Sequence, residues 1–288
     1  MGLTGGEMHE GVAPPGVDAG TPSPARLYDY YLGGMHNFPV DREAGERIRA
    51  AMPELEDAAW VNRGFLGRAA RWMAAEQGIR QFIDIGAGLP TQNNTHEVVH
   101  KVAPEARVVY VDNDPAVPAY ARPLLRDVPT STVIAGDLRD PDGVLGHPET
   151  GRLIDFAEPV GLLLVAVVHF VADESDPWAL VARYRDALAP GSHVAISHIT
   201  ADNQPPRPVQ AIRDVYANAT ENIHFRGRSE VTRLFDGWDL VPPYEGAEPA
   251  VTWIGYWGAE DPEAADSDGS RWSYAGVGRK PGRGKAVA

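Results

Sequence analysis

The chain has 288 residues, 43% of them hydrophobic, which is enough to bury a sizeable core in one large domain or two small ones. Its 26 Lys and Arg residues against 40 Asp and Glu give a net charge of −14, which disfavours a nucleic-acid partner because phosphate backbones are repelled. The longest apolar run, at 160–168, is too short to span a membrane, and neither a secretory signal nor a cysteine is present. We therefore expect a cytoplasmic protein whose partner is a small molecule or a protein.

The N-terminal quarter predicts a tail followed by helices. Residues 1–22 are rich in Gly and Pro, with little to pack, and predict a disordered segment. Residues 23–78 begin with clustered aromatic residues and end in an amphipathic helix that Gly78 stops. The apolar stripe of that helix consists of Phe65, Leu66, Ala69, Trp72 and Met73. We interpret 23–78 as a helical N-terminal extension that covers the site of the following domain.

Extended and helical segments alternate over 79–280, which we interpret as one domain followed by a short tail at 281–288. Near-continuous apolar strands joined by helix-length crossovers predict a parallel sheet with helices on both faces. The predicted strands of this sheet are 80–86, 106–112, 131–137, 161–170 and 192–199. Two more extended segments, at 237–243 and 273–280, follow a helix that we expect at 208–220.

Three consecutive strand ends carry residues suited to a nucleoside. Ligands of open parallel sheets bind beyond the carboxyl ends of the strands, beside the first strand. There Gly86, Ala87 and Gly88 form a tight turn whose missing side chains let a ligand lie against the backbone. Asp112 ends the second strand, where a carboxylate accepts hydrogen bonds from both hydroxyls of a ribose. Asp137 ends the third strand, where an adenine amino group needs an acceptor.

The loop after Gly88 disfavours a dinucleotide. A dinucleotide site needs a third glycine and an immediate helix to grip the pyrophosphate, whereas residues 89–94 intervene here and Pro90 among them donates no amide. That helix is predicted to begin after Asn94, with Glu97 completing a capping box. The pattern favours a ligand that has adenosine but no phosphates, such as S-adenosylmethionine. Asp84 would help to hold its ammonium group, directly or through water.

Several motifs together resemble a known family. They are ARLYDYYLGGMHNFPVDR, NRGFLGRAARW, DIGAGLPT and VVYVDNDP. Over residues 22–280 the chain looks like a class I S-adenosylmethionine-dependent methyltransferase, and more narrowly like an actinobacterial family long catalogued as a domain of unknown function. The resemblance implies a Rossmann-like, doubly wound α/β sheet of seven mostly parallel strands, with 273–280 inserted antiparallel between strands five and six. It implies methyl transfer from S-adenosyl-L-methionine, without indicating an acceptor.

The resemblance also implies cofactor contacts. The turn at 86–88 would line the cofactor, Asp112 with Asn113 would contact the ribose, and Asp137 with Leu138 would contact the adenine. Because the usual third glycine is missing, the methionine end needs other partners, and an aromatic ring near the sulfonium would contribute about 0.5–2 kcal/mol. The N-terminal residues that offer such groups are Tyr30, Tyr31, His36, Asn37 and Phe38. The alternative is that this segment is a hydrophobic one that only covers one end of the sheet.

Two histidines are candidates for proton transfer. Methyl transfer is an in-line displacement, so much of its catalysis comes from alignment, and a base is needed only where the acceptor keeps its proton at neutral pH. His169 follows the fourth predicted strand and His198 ends the fifth. Each is either a catalytic base or a hydrogen-bonded structural residue. No metal site is expected, since the sequence has no H-E-x-x-H motif, cysteine cluster or complete calcium loop.

The sequence leaves three functions open. The leading hypothesis is a methyltransferase that acts on an oxygen or nitrogen atom of a small molecule. A nicotinamide-dependent oxidoreductase shares the first strand, the glycines and Asp112, but lacks its third glycine here. A non-catalytic S-adenosylmethionine-binding protein shares every cofactor contact.

Overall fold

The computed structural model describes residues 13–90 and 93–282, so most of the two predicted tails, 1–12 and 283–288, lies outside the described residues. The helices are α1 (Pro24–Tyr31), α2 (Pro39–Arg49), α3 (Leu55–Ala75), α4 (Thr95–His100), α5 (Ala116–Leu125), α6 (Pro141–Leu145), α7 (Pro148–Leu153), α8 (Pro177–Ala187), α9 (Pro206–Tyr216) and α10 (Arg228–Arg233). The strands are β1 (Gln81–Ile85), β2 (Arg107–Asp112), β3 (Ser131–Ala135), β4 (Gly161–Val165), β5 (His193–Ile199), β6 (Asp239–Leu240), β7 (Thr252–Trp253) and β8 (Ser273–Arg279). Short 3-10 turns occur at Val168–Phe170, Asp173–Ser175 and Gly269–Trp272.

The strands of the described residues form one sheet in the order β3-β2-β1-β4-β5-β8-β6, and the short β7 pairs with β8. β1 to β5 are parallel, whereas β8 runs antiparallel to β5 and lies between β5 and β6. The predicted parallel sheet and the insertion of its last strand are thus confirmed. The sheet has eight strands rather than seven, because Thr252–Trp253 adds a two-residue pairing to β8.

Helices cover both faces of the sheet because its central strands are apolar on both sides. β1 and β4 are buried at every position. α3, α4 and α5 pack together with one set of strand residues, through side chains such as Met73 and Val117. α6, α7, α8 and α10 pack with the other set, through side chains such as Val144 and Leu180. Each large apolar side chain buried in this way contributes about 1.5–3 kcal/mol to stability. In the part of the chain that the structure covers, no helix is both long and apolar enough to cross a membrane.

A third apolar cluster joins the N-terminal extension to α9 and is named here the cap cluster. It consists of Leu27, Tyr31, Leu32, Ala44, Ile48, Met52, Leu55, Ala59, Val209, Ile212, Val215, Tyr216 and Trp272. Phe170 and Ile199 pack against it, so it lies at the carboxyl ends of β4 and β5. The amide of Thr200 donates to the Trp272 carbonyl at 3.0 Å, which fixes Trp272 beside the end of β5.

Residues 13–22 contact the folded domain, contrary to the expectation of a disordered segment. The buried guanidinium of Arg26 donates to the carbonyl of Asp18 at 2.9 Å and also to that of Thr21. Its Nε lies 3.0 Å from Oδ2 of Asp41, which is buried as well. A buried cation needs such partners, so the chain before α1 wraps around Arg26 instead of leaving the surface.

β4 ends at Val165, whereas the apolar sequence predicts a strand that continues to Phe170. Ala166 has φ +54°, a left-handed conformation that breaks the strand. Its amide donates to Oγ of Ser197 on β5 at 2.9 Å, which holds the break in place. The chain then turns through Val168–Phe170, and this turn carries His169 toward the carboxyl ends of the strands.

Candidate functional site

The two glycines of the turn after β1, Gly86 and Gly88, have different roles. Gly86 has φ +71°, and a Cβ built there would lie 2.3 Å from Cγ2 of Val167, so only glycine fits. The amides of Gly86 and Ala87 donate to the carbonyl of Val111 at 2.8 and 3.2 Å. Gly88 has φ +68°, but a Cβ there would meet nothing within 4 Å. The first glycine is therefore required by packing, whereas the second borders open space that a ligand can fill.

Asp112, the last residue of β2, is only 7% exposed and is fixed against this turn. Its Oδ2 accepts from the amide of Gly88 at 2.8 Å, and its Oδ1 accepts from the amide of Asp114 at 2.9 Å. Burial raises the pKa of Asp112 to about 6, although these two amides lower it. Each carboxylate oxygen retains acceptor capacity for a hydroxyl donor.

Asp84, within β1, is a buried acid with a cation, Arg63, nearby. It is buried and accepts a hydrogen bond from Oγ1 of Thr95 at 2.6 Å. Burial raises the pKa of Asp84 to about 6, whereas the Thr95 hydroxyl and the charge of Arg63 lower it. Arg63 comes from α3, is buried, and places its guanidinium carbon 5.7 Å from the centre of the Tyr28 ring. A buried acid with a buried cation near enough to lower its pKa suits the ammonium and carboxylate of an amino-acid group.

Asp137, after β3, belongs to an ionic network at the other end of the site. Arg139 donates to both of its carboxylate oxygens, with Nε–Oδ1 2.8 Å and Nη2–Oδ2 2.7 Å, and pairs with Glu221, Nη2–Oε1 2.8 Å. Nδ2 of Asn113 donates to Glu221 at 2.9 Å. Burial opposes ionisation of Asp137, but the hydrogen bonds from Arg139 outweigh it and hold the pKa below its ordinary value. The network ties the segment after α9 to the strand ends.

These groups line a single cavity of about 400 Å³, a volume typical of small-molecule sites. The residues predicted from the strand ends all lie on its wall: Asp84, Gly86, Ala87, Gly88, Asp112, Asn113, Asp137 and Leu138. The cavity crosses the carboxyl ends of β3, β2, β1, β4 and β5 in turn, and its other wall comes from the N-terminal helices and α9. Among residues 13–90 and 93–282, no group of three or more His, Asp and Glu side chains is placed to hold a metal ion.

Tyr30, His36 and Asn37, which the sequence predicts as cofactor contacts, lie away from this cavity. Tyr30 lines a separate small pocket of the N-terminal extension. The ring of His36 stacks on Tyr120, with centres 4.4 Å apart. Asn37 donates from Nδ2 to Asp29 at 2.8 Å. These polar groups shape the turn between α1 and α2, and the prediction of cofactor contacts for them needs correction.

Other residues of the extension reach the cavity instead. Tyr28 and Tyr31 are three positions apart on α1, so they share a helix face that the intervening Tyr30 does not. Asn62 and Arg63 lie on the wall as well, and sequence reasoning missed them. A signal for both existed, because continuing the apolar stripe of α3 one turn toward its N-terminus leads to these two polar residues.

His169 lies on the cavity wall and is only 6% exposed. Its Nδ1 accepts from the amide of Ile199 over 3.4 Å. Burial, together with the nearby His198 and Arg226, holds the pKa of His169 well below its ordinary value, so the ring is neutral. In a neutral ring whose Nδ1 accepts, the hydrogen is assigned to Nε2. Nε2 then lacks the lone pair of a general base, which argues against the role predicted from the sequence.

His198 lies outside the cavity wall, contrary to its prediction as a second candidate base. The ring is fully buried, with Nδ1 2.7 Å from the carbonyl of Ile199 and Nε2 2.8 Å from Nη1 of Arg226. Burial lowers the pKa of His198 to about 3. A neutral ring that donates through Nδ1 and accepts through Nε2 satisfies both contacts, so His198 has a structural position.

Comparisons with known proteins give the chain its family. A family model described as S-adenosyl methyltransferase matches residues 10–281. A solved structure from Thermobifida fusca, provisionally assigned as a methyltransferase, is 39% identical, with 93% of this chain and 98% of that chain covered and a TM-score of 0.85. A DUF574 family protein from Streptomyces avermitilis is 38% identical, with 92% and 99% covered and a TM-score of 0.84. No protein with a curated function matches the sequence.

The family match and the geometry of the cavity agree. Gly88 borders open space, the carboxylate of Asp112 faces the same cavity, and an acid and a cation lie together at Asp84 and Arg63. This set suits an adenosine joined to an amino-acid group, and the family model covers nearly the whole chain, which decides against a nicotinamide-dependent oxidoreductase. The chain therefore belongs to the S-adenosyl methyltransferase family and is an S-adenosylmethionine-dependent methyltransferase.

Proposed function

We propose that this enzyme methylates an oxygen or nitrogen atom of a small molecule, and that it does so in the cytoplasm without a nucleic-acid partner. One observation carries the proposal: the glycine turn, Asp112 and Asp137 share a cavity with the apolar cap cluster. A cavity of about 400 Å³ beneath helices suits a small acceptor beside the cofactor better than a macromolecular one. The net charge of −14 supports the absence of a nucleic-acid partner.

The described residues fit S-adenosylmethionine at both of its ends. Asp112 would accept hydrogen bonds from the ribose hydroxyls, and the open space at Gly88 would admit the cofactor against the backbone. The adenine would lie beside Leu138. Arg63 would pair with the carboxylate of the methionine end, while Asp84 would hold its ammonium.

When bound, S-adenosylmethionine supplies an electrophilic methyl group on a sulfonium. The chain contributes alignment through a series of hydrogen bonds that meets the cavity at Ala166. The amide of Ala166 donates to Oγ of Ser197 at 2.9 Å, and this hydroxyl donates to Oδ1 of Asn62 at 2.6 Å. Nδ2 of Asn62 donates in turn to the Tyr28 hydroxyl at 2.7 Å. The series fixes the wall at the carboxyl ends of β4 and β5 and ties it to α3 and α1.

Calorimetry tests the cofactor site. We expect S-adenosylmethionine and S-adenosylhomocysteine to bind with dissociation constants on the order of micromolar, and NAD not to bind. Asp112→Ala should weaken both by at least ~10-fold because the ribose acceptor is lost. Asp239→Ala, an exposed aspartate on β6, is the matched control and should leave both affinities unchanged. Binding of NAD without any response to S-adenosylmethionine would contradict the proposal.

Isotope transfer tests the acceptor class. The enzyme is incubated with S-adenosylmethionine carrying a deuterated methyl group and an extract separated by size. We expect the label in the low-mass fraction. Label that appears only in protein or nucleic acid would overturn the assignment of a small acceptor.

A further inference from the structure

The cavity has two chemically different halves. Because the sheet order is β3-β2-β1-β4-β5, the ends of β1 to β3 form one half, and the ends of β4 and β5 form the other. This second half is named the acceptor lobe. Its wall includes Met52, Leu55, Phe170, Ile212, Tyr216 and Trp272. The rings of Phe170 and Tyr216 lie 5.9 Å apart and tilted by 35°, which provides aromatic surface for a planar apolar ligand.

The strand ends and the turn of the acceptor lobe carry no charged side chain on the described wall. Within the described wall of the cavity, charged side chains come from the ends of β1 to β3, from the N-terminal segment 16–26, from Arg63 and from Glu221. The wall residues of α2, the turn 168–170, the end of β5, α9 and the segment 272–273 are uncharged. A charged acceptor would lose its hydration in the acceptor lobe without gaining an ionic partner, which disfavours it strongly.

His169 offers this lobe a polar ring atom, beside the hydroxyls of Tyr31, Tyr216 and Ser273, which lie on the same wall. His169 lies on the cavity wall, and its Nδ1 already accepts from the amide of Ile199. Nε2 has no hydrogen-bond partner among the residues that the structure describes, although the residue is only 6% exposed. The assigned tautomer places the hydrogen on Nε2. The lobe is therefore uncharged and largely apolar, and His169 contributes an N–H donor to it.

The backbone around His169 is held on several sides. Its carbonyl accepts from the amide of His224 at 2.8 Å. The guanidinium of Arg226 donates to the carbonyls of Val168 at 3.3 Å and Val171 at 2.6 Å, on either side of His169. A donor that is fixed before the ligand arrives orients it with less loss of entropy.

We propose that the methyl acceptor is an uncharged, largely apolar ring compound whose hydrogen-bond-accepting oxygen or nitrogen atom is held by Nε2–H of His169. The inference rests on the proposed function, since it names the acceptor class of the same site. It makes His169 a donor that positions the acceptor rather than the group that removes a proton from it: the bond from the acceptor atom to the methyl group would form as the bond from sulfur to that group breaks, and a proton on the acceptor atom would pass to solvent.

Matched ligands test the class of acceptor. The full chain is saturated with S-adenosylhomocysteine and titrated by calorimetry with four probes built on one ring system: naphthalene, 2-naphthol, 2-naphthoate and 2-naphthylmethylammonium. We expect 2-naphthol to bind at least ~10-fold more tightly than either ion, because only the ions lose charge hydration. Tighter binding of either ion, or no binding by any of the four, would overturn the proposal.

Two substitutions test whether His169 holds the ligand through a hydrogen bond. His169→Gln keeps an amide N–H near the position of Nε2, whereas His169→Phe keeps the ring but removes the donor. We expect the glutamine variant to retain affinity for 2-naphthol within about threefold and the phenylalanine variant to lose about 10-fold, with naphthalene affinity unchanged in both. His193→Gln, at the opposite end of β5, is the control for the histidine-to-glutamine exchange. Equal losses of 2-naphthol affinity in both variants would contradict a donor role.

Affinity for S-adenosylhomocysteine distinguishes the possible failures. If the wild type does not bind S-adenosylhomocysteine, the proposed function fails, and the inference fails with it. If it binds S-adenosylhomocysteine but does not prefer the neutral probe, only the inference fails. The His169 variants should bind S-adenosylhomocysteine as the wild type does, which shows that they are folded.

Discussion

The two carboxylate oxygens of Asp112 serve the fold, and they are the atoms that we propose as acceptors for the ribose hydroxyls. Each accepts a backbone amide, from Gly88 or Asp114, and this fixes the carboxylate beside the open space at Gly88. Burial raises the pKa of Asp112 to about 6, and burial does the same for Asp84. The site therefore holds two carboxyl groups that change charge just below neutral pH.

Affinity for S-adenosylmethionine should fall as the solution becomes acidic. In the proposed contacts, the ribose hydroxyls and the ammonium would donate to ionised carboxylates, so binding would favour the charged forms of Asp112 and Asp84. We expect affinity at about pH 5 to be at least ~10-fold weaker than at about pH 8, with the change centred near 6. Calorimetry across this range measures it, and a flat profile would contradict the assigned contacts.

The same raised pKa values make the stability of the fold depend on pH in the opposite direction to cofactor affinity. Both are raised above the ordinary value of 3.8, so between about pH 4 and pH 6 the folded chain binds more protons than the unfolded chain. Stability from these two groups is therefore greatest in acid and decreases as the pH rises through 6. A loss of cofactor affinity in acid would thus not come from unfolding through Asp84 or Asp112.

Gly88 and Gly78 form a matched pair for a substitution test. Both have positive φ, +68° and +66°, and a Cβ at either would meet nothing within 4 Å. Alanine at either position should cost about 1–2 kcal/mol of stability because of the left-handed backbone. Only Gly88→Ala should also weaken binding of S-adenosylhomocysteine, by at least ~10-fold, since its methyl group would occupy space in the cavity. Equal affinities of the two variants, measured by calorimetry, would show that the cofactor does not lie against Gly88.

Residues at strand ends were predictable because the hydrophobic pattern shows where each strand ends, and the strand direction places that end at one edge of the sheet. An aspartate that follows a buried parallel strand must lie at the carboxyl edge of the sheet, so Asp112 and Asp137 were found from the sequence. Tyr30 was misplaced because the sequence does not give the rotation of α1, and a shift of one or two positions changes the face. His36 was misplaced because it lies in the turn after α1, where its ring stacks on Tyr120 of α5, a contact that the sequence does not show.

Among the elements, the turn after β4 is held by residues distant in sequence. Arg226 is 2% exposed and binds two carbonyls of the turn, the ring of His198 and the carboxylate of Asp173, Nη2–Oδ1 2.6 Å. The apolar sequence of 161–170 predicts a single strand, but in the structure the strand breaks at Ala166. Sequence alone could not show the break, because the groups that stabilise it are supplied by β5 and by the segment after α9.

Removal of Arg226 should destabilise the fold markedly. Arg226→Met would leave the carbonyls of Val168 and Val171 and the ring of His198 without their buried donor. We expect a loss of about 3–5 kcal/mol in the free energy of unfolding, measured in urea. Arg183→Met removes an exposed ion pair with Asp142 and should cost less than about 1 kcal/mol. Similar losses for the two variants would contradict the role assigned to Arg226.

For the whole molecule, the sheet follows from hydrophobic pattern, whereas the closure of the cavity does not. The parallel strands and the inserted β8 were predicted, since apolar runs and crossover lengths determine them. The cap cluster depends on contacts between α2 and α9, which are far apart in sequence, and on the chain that wraps around Arg26. These contacts turn an open sheet edge into a cavity with a polar half and an apolar half.

A crystal structure of the complex with S-adenosylhomocysteine tests this division most directly. We expect both ribose hydroxyls within about 2.6–3.2 Å of the Asp112 carboxylate, the base beside Leu138, and the sulfur atom facing the acceptor lobe. Ligand density that leaves Asp112 without a contact, or a sulfur atom that faces away from His169, would contradict it.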